Sequence, residues 1–494
     1  MGVITTRSLT ILLALCLLVL SCNSDKSVNT NAPLPLEISQ VWPGAESSSV
    51  PVGLAAVEVT FDRPIERLVS LTLTEVGGEA IPGEIDLLDQ EARYLLDDRL
   101  GVDIVYEARV VYDHVNEHGR RVISQYRWTF DTHQLWSVLL DGPEPGLPGG
   151  VVELPDKGYV VAGKRNVGFE TWDAFVVRTD ASADVVWADL YGSPTSYQEM
   201  NDICRSTDGG FVAVGTTELD GANWDIYIIK VDSAGEVVFE ETYDLGDRAI
   251  AEAVAETPDG GLFVAGRRLT LASLEWDAHL IRLDASGNVL WDSAYVVDGR
   301  QSVYDLTVTA DGGCVIAGYA GMRDIVSIRD LWVAGISAEG EMLWQRSHGG
   351  DHTDEARAIV PLVDGGYVVT GWTASFGVGG EDVYVVRVDS AGGLVWERTY
   401  GGIGDEIGEG ICAAHDGGFV ITGRADSESI GGDGVYMLKI DDSGNLVWSH
   451  VYSQSPYYRD HGYDVIPTAD GGYLVAAEHA DQCWLIKTDG SGGL

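Results

Sequence analysis

Residues 355–402 read EARAIVPLVDGGYVVTGWTASFGVGGEDVYVVRVDSAGGLVWERTYGG. Four short runs rich in β-branched and aromatic residues stand out: Glu355 to Val360, Tyr367 to Gly371, Asp382 to Asp389 and Leu394 to Tyr400. Glycine turns at Asp364-Gly365-Gly366 and Ser390-Ala391-Gly392-Gly393, and one longer loop, separate them. Runs of this length between such turns are strands, so the segment is a four-stranded unit. The unit recurs. Trp136, Trp187, Phe239, Trp291, Trp344, Trp396 and Trp448 follow one another at intervals of 51, 52, 52, 53, 52 and 52 residues. An Asp-x-Gly turn keeps step at Asp156, Asp208, Asp259, Asp311, Asp364, Asp416 and Asp470. Seven residues after each lies Gly163, Gly215, Gly266, Gly318, Gly371 or Gly423, with Ala477 in the last copy.

A helical solenoid would need 3.6-residue periodicity over longer runs, which is absent. Tandem four-stranded units instead make the blades of a β-propeller. The last copy ends after Trp484 to Asp489 without a fourth strand, while a spare strand, Leu135 to Leu140, precedes the first copy. Pairing the two leaves no open edge. The expected fold is all-β: a seven-bladed propeller over residues 134–494, its last blade completed by an N-terminal strand, preceded by a smaller β-domain.

The repeat resembles those found in tandem in secreted bacterial and archaeal proteins. These open on Trp-x-x-x-Tyr-Gly-Gly, turn on Asp-Gly-Gly-Tyr and close on Asp-x-x-Gly-x-x-x-Trp; Trp396 to Gly402 and Asp389 to Trp396 are close copies. The resemblance implies the fold and leaves the chemistry open, because propellers host enzymes and binding platforms alike. The closing hairpin matches the spacing of neither the quinoprotein dehydrogenase repeat nor the sialidase Asp-box. Its carboxylate is expected to cap its own turn and its Trp to fill the seam between blades.

Residues 36–133 alternate strand-like runs with turn signals at period two, which favours a β-sandwich. Val41-Trp42-Pro43-Gly44, Val50-Pro51-Val52, Val59 to Ile65, Tyr106, Gly119 and Trp128 to Thr132 fall in the order seen in bacterial Ig-like domains of surface-layer proteins, which the segment resembles. That resemblance implies a spacer or adhesion module. Before it, residues 1–21 carry Arg7 and an apolar run too short to span a membrane comfortably, a secretory signal. Val19-Leu20-Ser21-Cys22 resembles the bacterial lipobox, which implies lipidation of Cys22 after cleavage, and residues 22–35 read as a tether. In that pattern Asn23 favours the outer membrane over inner-membrane retention. A lipid-anchored, exported monomer is expected.

Acids outnumber bases 77 to 31, a formal charge of -46, while 45% of residues are hydrophobic, too many for a disordered acidic chain. So anionic a surface repels phosphate backbones and lipid headgroups, which excludes nucleic acid and electrostatic membrane adsorption. Glycine, at 61 residues, is in excess because blades need turns. Cys204, Cys314, Cys412 and Cys483 show no ligand or redox spacing and sit where other copies place apolar residues, so they are expected as buried free thiols.

Within each copy the loops before the first strand and after the second are long and variable, and recognition sits on such loops. Trp372, Tyr319, Arg267 and Arg424 are the ligand-binding candidates there, with Arg268, Phe376, Tyr457 and Tyr458, an aromatic and arginine mixture suited to contact. The bases on the third strands, Arg178, Lys230, Arg282, Arg387, Lys439 and Lys487, are expected to be structural partners of nearby acids rather than a ligand ring. Acids gather where first strands begin: Asp202, Glu252, Asp305, Asp354, Glu355, Asp405, Glu406, Glu409 and Asp464. Such oxygens could hold Ca²⁺, but no Asp-x-Asp-x-Asp-Gly loop occurs, and no cofactor is expected. The expectation is a non-enzymatic cell-envelope lipoprotein whose propeller binds a protein or glycan. The alternatives are a glycosidase or lyase using carboxylates such as Asp405 and Glu409, and a purely structural envelope protein.

Overall fold

The computed structural model describes residues 38–494 apart from 43–46, 52–55, 62–66, 77–79, 82, 89–90, 97–104, 116–120, 134–135, 141–145, 169–170, 193–196, 219–222, 247, 271–274, 298, 322–327, 427–432 and 455–458. The signal, the tether, Cys22, Tyr457 and Tyr458 lie outside the described residues. All described elements are strands. The chain divides into two compact units, the second made of Phe130–Leu494 with Glu46–Leu54 and Arg99–Tyr106.

In the first unit, strands Ile38–Trp42, Ala56–Phe61, Glu91–Leu96 and Gly83–Leu88 form one sheet in that order. Arg121–His133, Val105–Val115 and Arg67–Glu75 lie side by side in another sheet, whose residues 67–75, 107–115 and 121–129 belong to this unit. Alternate residues of each sheet are buried, among them Val57, Val59 and Phe61 in one and Ala108, Val110 and Tyr112 in the other. Phe61 meets Tyr112 edge-on at 5.1 Å, joining the two faces into one core.

Among the described residues the second unit carries seven four-stranded sheets. In the fifth, Asp354–Pro361, Tyr367–Thr373, Asp382–Val388 and Leu394–Tyr400 pair in chain order, all antiparallel. The seventh takes Asp460–Pro467, Tyr473–His479 and Gln482–Thr488 from one end of the chain and Trp136–Leu139 from the other, with Trp484 opposite Leu139 and Lys487 opposite Trp136. Each first strand packs against the first strand of the next sheet, and Asp460–Pro467 packs against Leu147–Glu153, so these innermost strands close a ring. The fold is a β-propeller.

Its seams explain the motif. In the turn between third and fourth strands, Asp389 Oδ1 accepts the N–H groups of Ala391 at 2.9 Å and Gly393 at 2.8 Å, and Asp232, Asp284 and Asp441 do the same in their copies. The glycine two residues before the fourth strand has positive φ, 76° at Gly392, and the indole of the preceding blade lies on it. A Cβ there would stand 2.5 Å from Trp344, and one on Gly340 would stand 3.2 Å from Trp291. The tyrosine of Trp-x-x-x-Tyr completes the latch. Tyr400 Oη donates to Gly444 O at 2.6 Å and Tyr295 Oη to Gly340 O at 2.9 Å, each in the following blade.

The third-strand bases are clamps. Arg178 meets Asp156 at 2.7 Å, Lys230 meets Asp208 at 2.6 Å, Arg282 meets Asp259 at 2.9 Å, Arg387 meets Asp364 at 2.7 Å and Lys487 meets Asp470 at 2.7 Å; Lys439 pairs with Asp416. Every acid belongs to the first turn of the same blade, so these bases hold turns rather than ligands. All four described cysteines are free; Cys314, Cys412 and Cys483 are buried and Cys204 partly so.

Candidate ligand-binding site at the channel mouth

Each innermost strand is broken by a bulge at an equivalent place. The pairing skips Gly149, Asn201, Glu252, Tyr304, Arg357, Glu409 and Tyr463. In six blades the recurrent glycine seven residues after the turn Asp lies against this bulge, and in the seventh Ala477 takes its place. Just before the bulge the backbone carbonyl turns over that glycine, so a Cβ on Gly371 would stand 1.9 Å from Glu355 O, and one on Gly318 1.9 Å from Ser302 O. Gly371→Ala is therefore expected to destabilise the propeller by about 1–3 kcal/mol, read as a lower urea midpoint at unchanged slope. An unchanged midpoint would show that the bulge relaxes at no cost.

The bulged residues meet across blades, as side chains turned toward one axis must. The Arg357 guanidinium lies 4.3 Å from the Tyr304 ring centre, and its Nε is 3.6 Å from Glu409. The residues after the recurrent glycine stand beside them: Lys164, Thr216, Arg267, Tyr319, Trp372, Arg424 and Glu478 share one register position. The four ligand-binding candidates thus sit on second strands, not on loops. The correction has a simple cause: the second strand runs on past the glycine by two to five residues before the long loop begins. Tyr319 and Trp372 are 5% and 8% exposed, so they pack beneath the mouth, while the side chains of Arg267 and Arg424 keep 25% and 23%. Phe376 lies in the following loop, its ring 5.7 Å from Tyr384, and Arg268 donates to Leu245 O.

One connected network results. Glu252 pairs with Arg267 at 3.3 Å, and Arg267 also lies over the Tyr304 ring at 5.9 Å. Glu355, almost fully buried, takes Arg329 at 2.8 Å and Arg357 at 3.5 Å, and Arg329 covers the Tyr319 ring at 4.8 Å. Glu409 lies 3.4 Å from His461, whose ring stacks on Tyr463 at 4.6 Å, and Tyr463 Oη donates to Glu478 at 2.8 Å. Lys164 meets Glu199 at 2.6 Å.

Burial pushes the Glu252 carboxyl up to about 7 despite Arg267, and burial likewise raises Glu355 against the pull of Arg357 and Arg329. At Glu409 burial also acts upward, but Arg357 and His461 outweigh it and hold the carboxyl below its usual range. The mouth thus holds one firmly ionised carboxylate and one that titrates near neutrality. Asp405 has other partners: it accepts the Glu381 N–H at 3.1 Å in the adjoining loop cleft of about 460 Å³, which Ile328, His352, Gly380 and Glu381 also line.

The remaining acids lie elsewhere. Asp202, Asp305 and Asp464 directly follow bulges, one step further in. Asp202 accepts the Ile203 N–H at 2.7 Å and the Val254 N–H of the next blade at 2.8 Å. Asp305 likewise takes Leu306 at 2.6 Å and Ile359 at 2.7 Å, and Asp464 takes Val151 at 3.0 Å, again in the next blade. The remaining strands carry Gly150, Ala253, Ala358 and Gly410 at the same position, so each Asp is flanked on both sides by a small residue. Asp354 accepts Gly350 N–H at 2.8 Å and the Thr373 hydroxyl, and Glu406 accepts Gly402 N–H at 2.5 Å, both as loop caps. Among the described residues no group of three or more His, Cys, Asp or Glu side chains is arranged to hold a metal ion.

No protein-family model matches the chain, and no curated protein does. Solved structures do. The WD40 domain of Neurospora crassa Pan2 is 11% identical over 72% of this chain and 94% of its own, with a TM-score of 0.49. Sqt1 from Chaetomium thermophilum is 11% identical over 72% and 99%, TM-score 0.41, and a glucose dehydrogenase 13% identical over 72% and 99%, TM-score 0.39. The propeller assignment itself rests on strand order and ring closure.

Proposed function

We propose that the protein is a lipid-anchored, exported bacterial envelope protein whose propeller is a non-enzymatic binding platform for a protein or glycan, with the first domain, Ig-like in its landmarks, as spacer. The observation that carries this is the composition of the channel mouth. The repeats keep one pattern where they build turns and seams, yet the positions around the bulges vary between blades, only the third and sixth sharing the same Glu and Arg pair. Glu252, Tyr304, Arg357 and Glu409 occupy one equivalent position, and Lys164, Arg267, Tyr319, Trp372 and Arg424 another. Architecture alone asks for repetition, so variation confined to one face supports recognition there. Lipidation at Cys22, outer-membrane residence and a monomeric state belong to the same proposal.

Glycan and peptide arrays test it. Binding by the wild type that falls about tenfold or more in Arg424→Ala and Lys164→Ala, with thermal midpoints unchanged, is the expected result. Binding indifferent to both substitutions, or turnover of a bound glycan lost in Glu409→Gln, would overturn it.

A further inference from the structure

Three arginines at the mouth are held in an unusual way. Arg267, Arg329 and Arg357 each lie over a tyrosine ring, at 5.9 Å from Tyr304, 4.8 Å from Tyr319 and 4.3 Å from Tyr304, and the two rings are themselves 6.0 Å apart. All three surround Glu355, whose carboxyl feels each of them. In each the Nε–H is buried with no acceptor. Arg357 goes further: its carboxylate neighbours stand at 3.5 and 3.6 Å, and among the described residues it donates no hydrogen bond to any protein group. Trp372 Nε1, from a side chain 8% exposed in the same ring, is also without an acceptor. Buried donors are costly to leave unpaired, and the three arginine side chains that carry them are 25%, 35% and 25% exposed, so their outer N–H groups are within reach of an oxygen acceptor. Tyrosines cover the flat faces of the guanidinium groups; Glu355 takes one edge of Arg329 and Glu252 faces Arg267, while the in-plane edge of Arg357, the kind that takes a carboxylate two bonds at a time, has no acceptor nearer than 3.5 Å.

Two further facts narrow the ligand. The chain carries a charge of -46, which repels any polyanion and admits a single acid group. Glu252 and Glu409, 15% and 16% exposed, place acceptors next to the donors, so the ligand carries hydroxyl donors as well. We infer that Arg267, Arg329 and Arg357 on the Tyr304 and Tyr319 pair receive the carboxylate of a sugar acid at a glycan end, while Glu252 and Glu409 take its hydroxyls. The inference rests on the binding-platform reading and assigns that platform its ligand class.

Titration calorimetry with glucuronate- and galacturonate-capped oligosaccharides, their glucose- and galactose-capped counterparts and triglutamate peptide decides it. The uronate-capped glycans are expected to bind about tenfold or more tightly than the neutral ones and the peptide, with a loss of about tenfold or more in Arg357→Gln. Arg329→Gln, at a side chain 35% exposed, gives the same readout should Arg357→Gln fail to fold. Equal binding of neutral caps, preference for triglutamate, or uronate affinity unchanged in a folded variant overturns the assignment. If arrays show ligands lost in Arg424→Ala but none with this preference, the platform stands and the sugar-acid receptor falls; if no ligand is found on any array, the platform itself falls.

Discussion

Removing residues 481–494 is expected to abolish the propeller fold rather than trim it. The deletion takes the third strand of the seventh blade, Gln482–Thr488, and with it the strand to which Trp136–Leu139 pairs. Trp484, 2% exposed, is lost from the core, along with its 2.6 Å hydrogen bond to Ser137. Gly492 goes too, against whose backbone Trp448 packs and whose carbonyl accepts Tyr452 Oη at 2.5 Å. The remaining chain would expose two unpaired sheet edges and the apolar face of Tyr473–His479. Circular dichroism and size exclusion of the truncated protein should show aggregated or partly unfolded material; a soluble product with a single cooperative transition would mean that six blades close without the seventh.

Thermal stability is expected to peak at mildly acidic pH, between about 4 and 6, and to fall toward pH 8. Two populations of carboxylates set this window. Burial pushes Asp202 to about 7, and it raises Asp464 and, well above the ordinary value, Asp305, each of which also bonds the backbone of the next blade. Glu252, at about 7, behaves alike. For groups raised on folding, the stabilising contribution is complete below the unfolded value near 4 and is lost as pH climbs through 7, on the order of a few kcal/mol for Asp202. The turn aspartates run the other way. Hydrogen bonds hold Asp208, Asp259, Asp364, Asp389 and Asp416 low, Asp259 at about 2 chiefly through Thr257, so their contribution is present above about 4 and fades as pH falls toward 2. These are largely exposed, and solvent keeps each small. Self-repulsion at a charge of -46 adds to the loss at high pH. Differential scanning calorimetry at pH 5 and pH 8 checks the sign. Asp202→Asn keeps one acceptor oxygen for Val254 and should raise the midpoint at pH 8 while leaving it nearly unchanged at pH 5. A wild-type midpoint higher at pH 8 than at pH 5 would contradict the assignment.

The blades were legible because turns write themselves into sequence. Asp389 and Gly392 are fixed by local hydrogen bonding and by positive φ, and Trp396 by a seam that every copy must fill. The ionic clamps were legible for the same reason: what recurs in six of seven blades builds the blade. The bulges were not, because no turn residue marks them; their trace is the glycine seven residues past the turn, whose missing Cβ admits a carbonyl of the neighbouring strand. Without the bulge, Arg357 and Tyr304 read as ordinary strand residues, and Arg267, Tyr319, Trp372 and Arg424 read as loop contacts. Aligning the seven copies on that glycine would have placed those four in one ring.

Closure by the strand before the first blade has a consequence for the order of events in the cell. Ser137 leaves the ribosome first and waits for Trp484, 347 residues later in the chain. Bringing such distant ends together costs about 5 kcal/mol of loop entropy before any contact rewards it, and it must be the last step of assembly. The ring therefore cannot close until the final strand has been made, and Trp136–Leu139 stays without that partner strand until then.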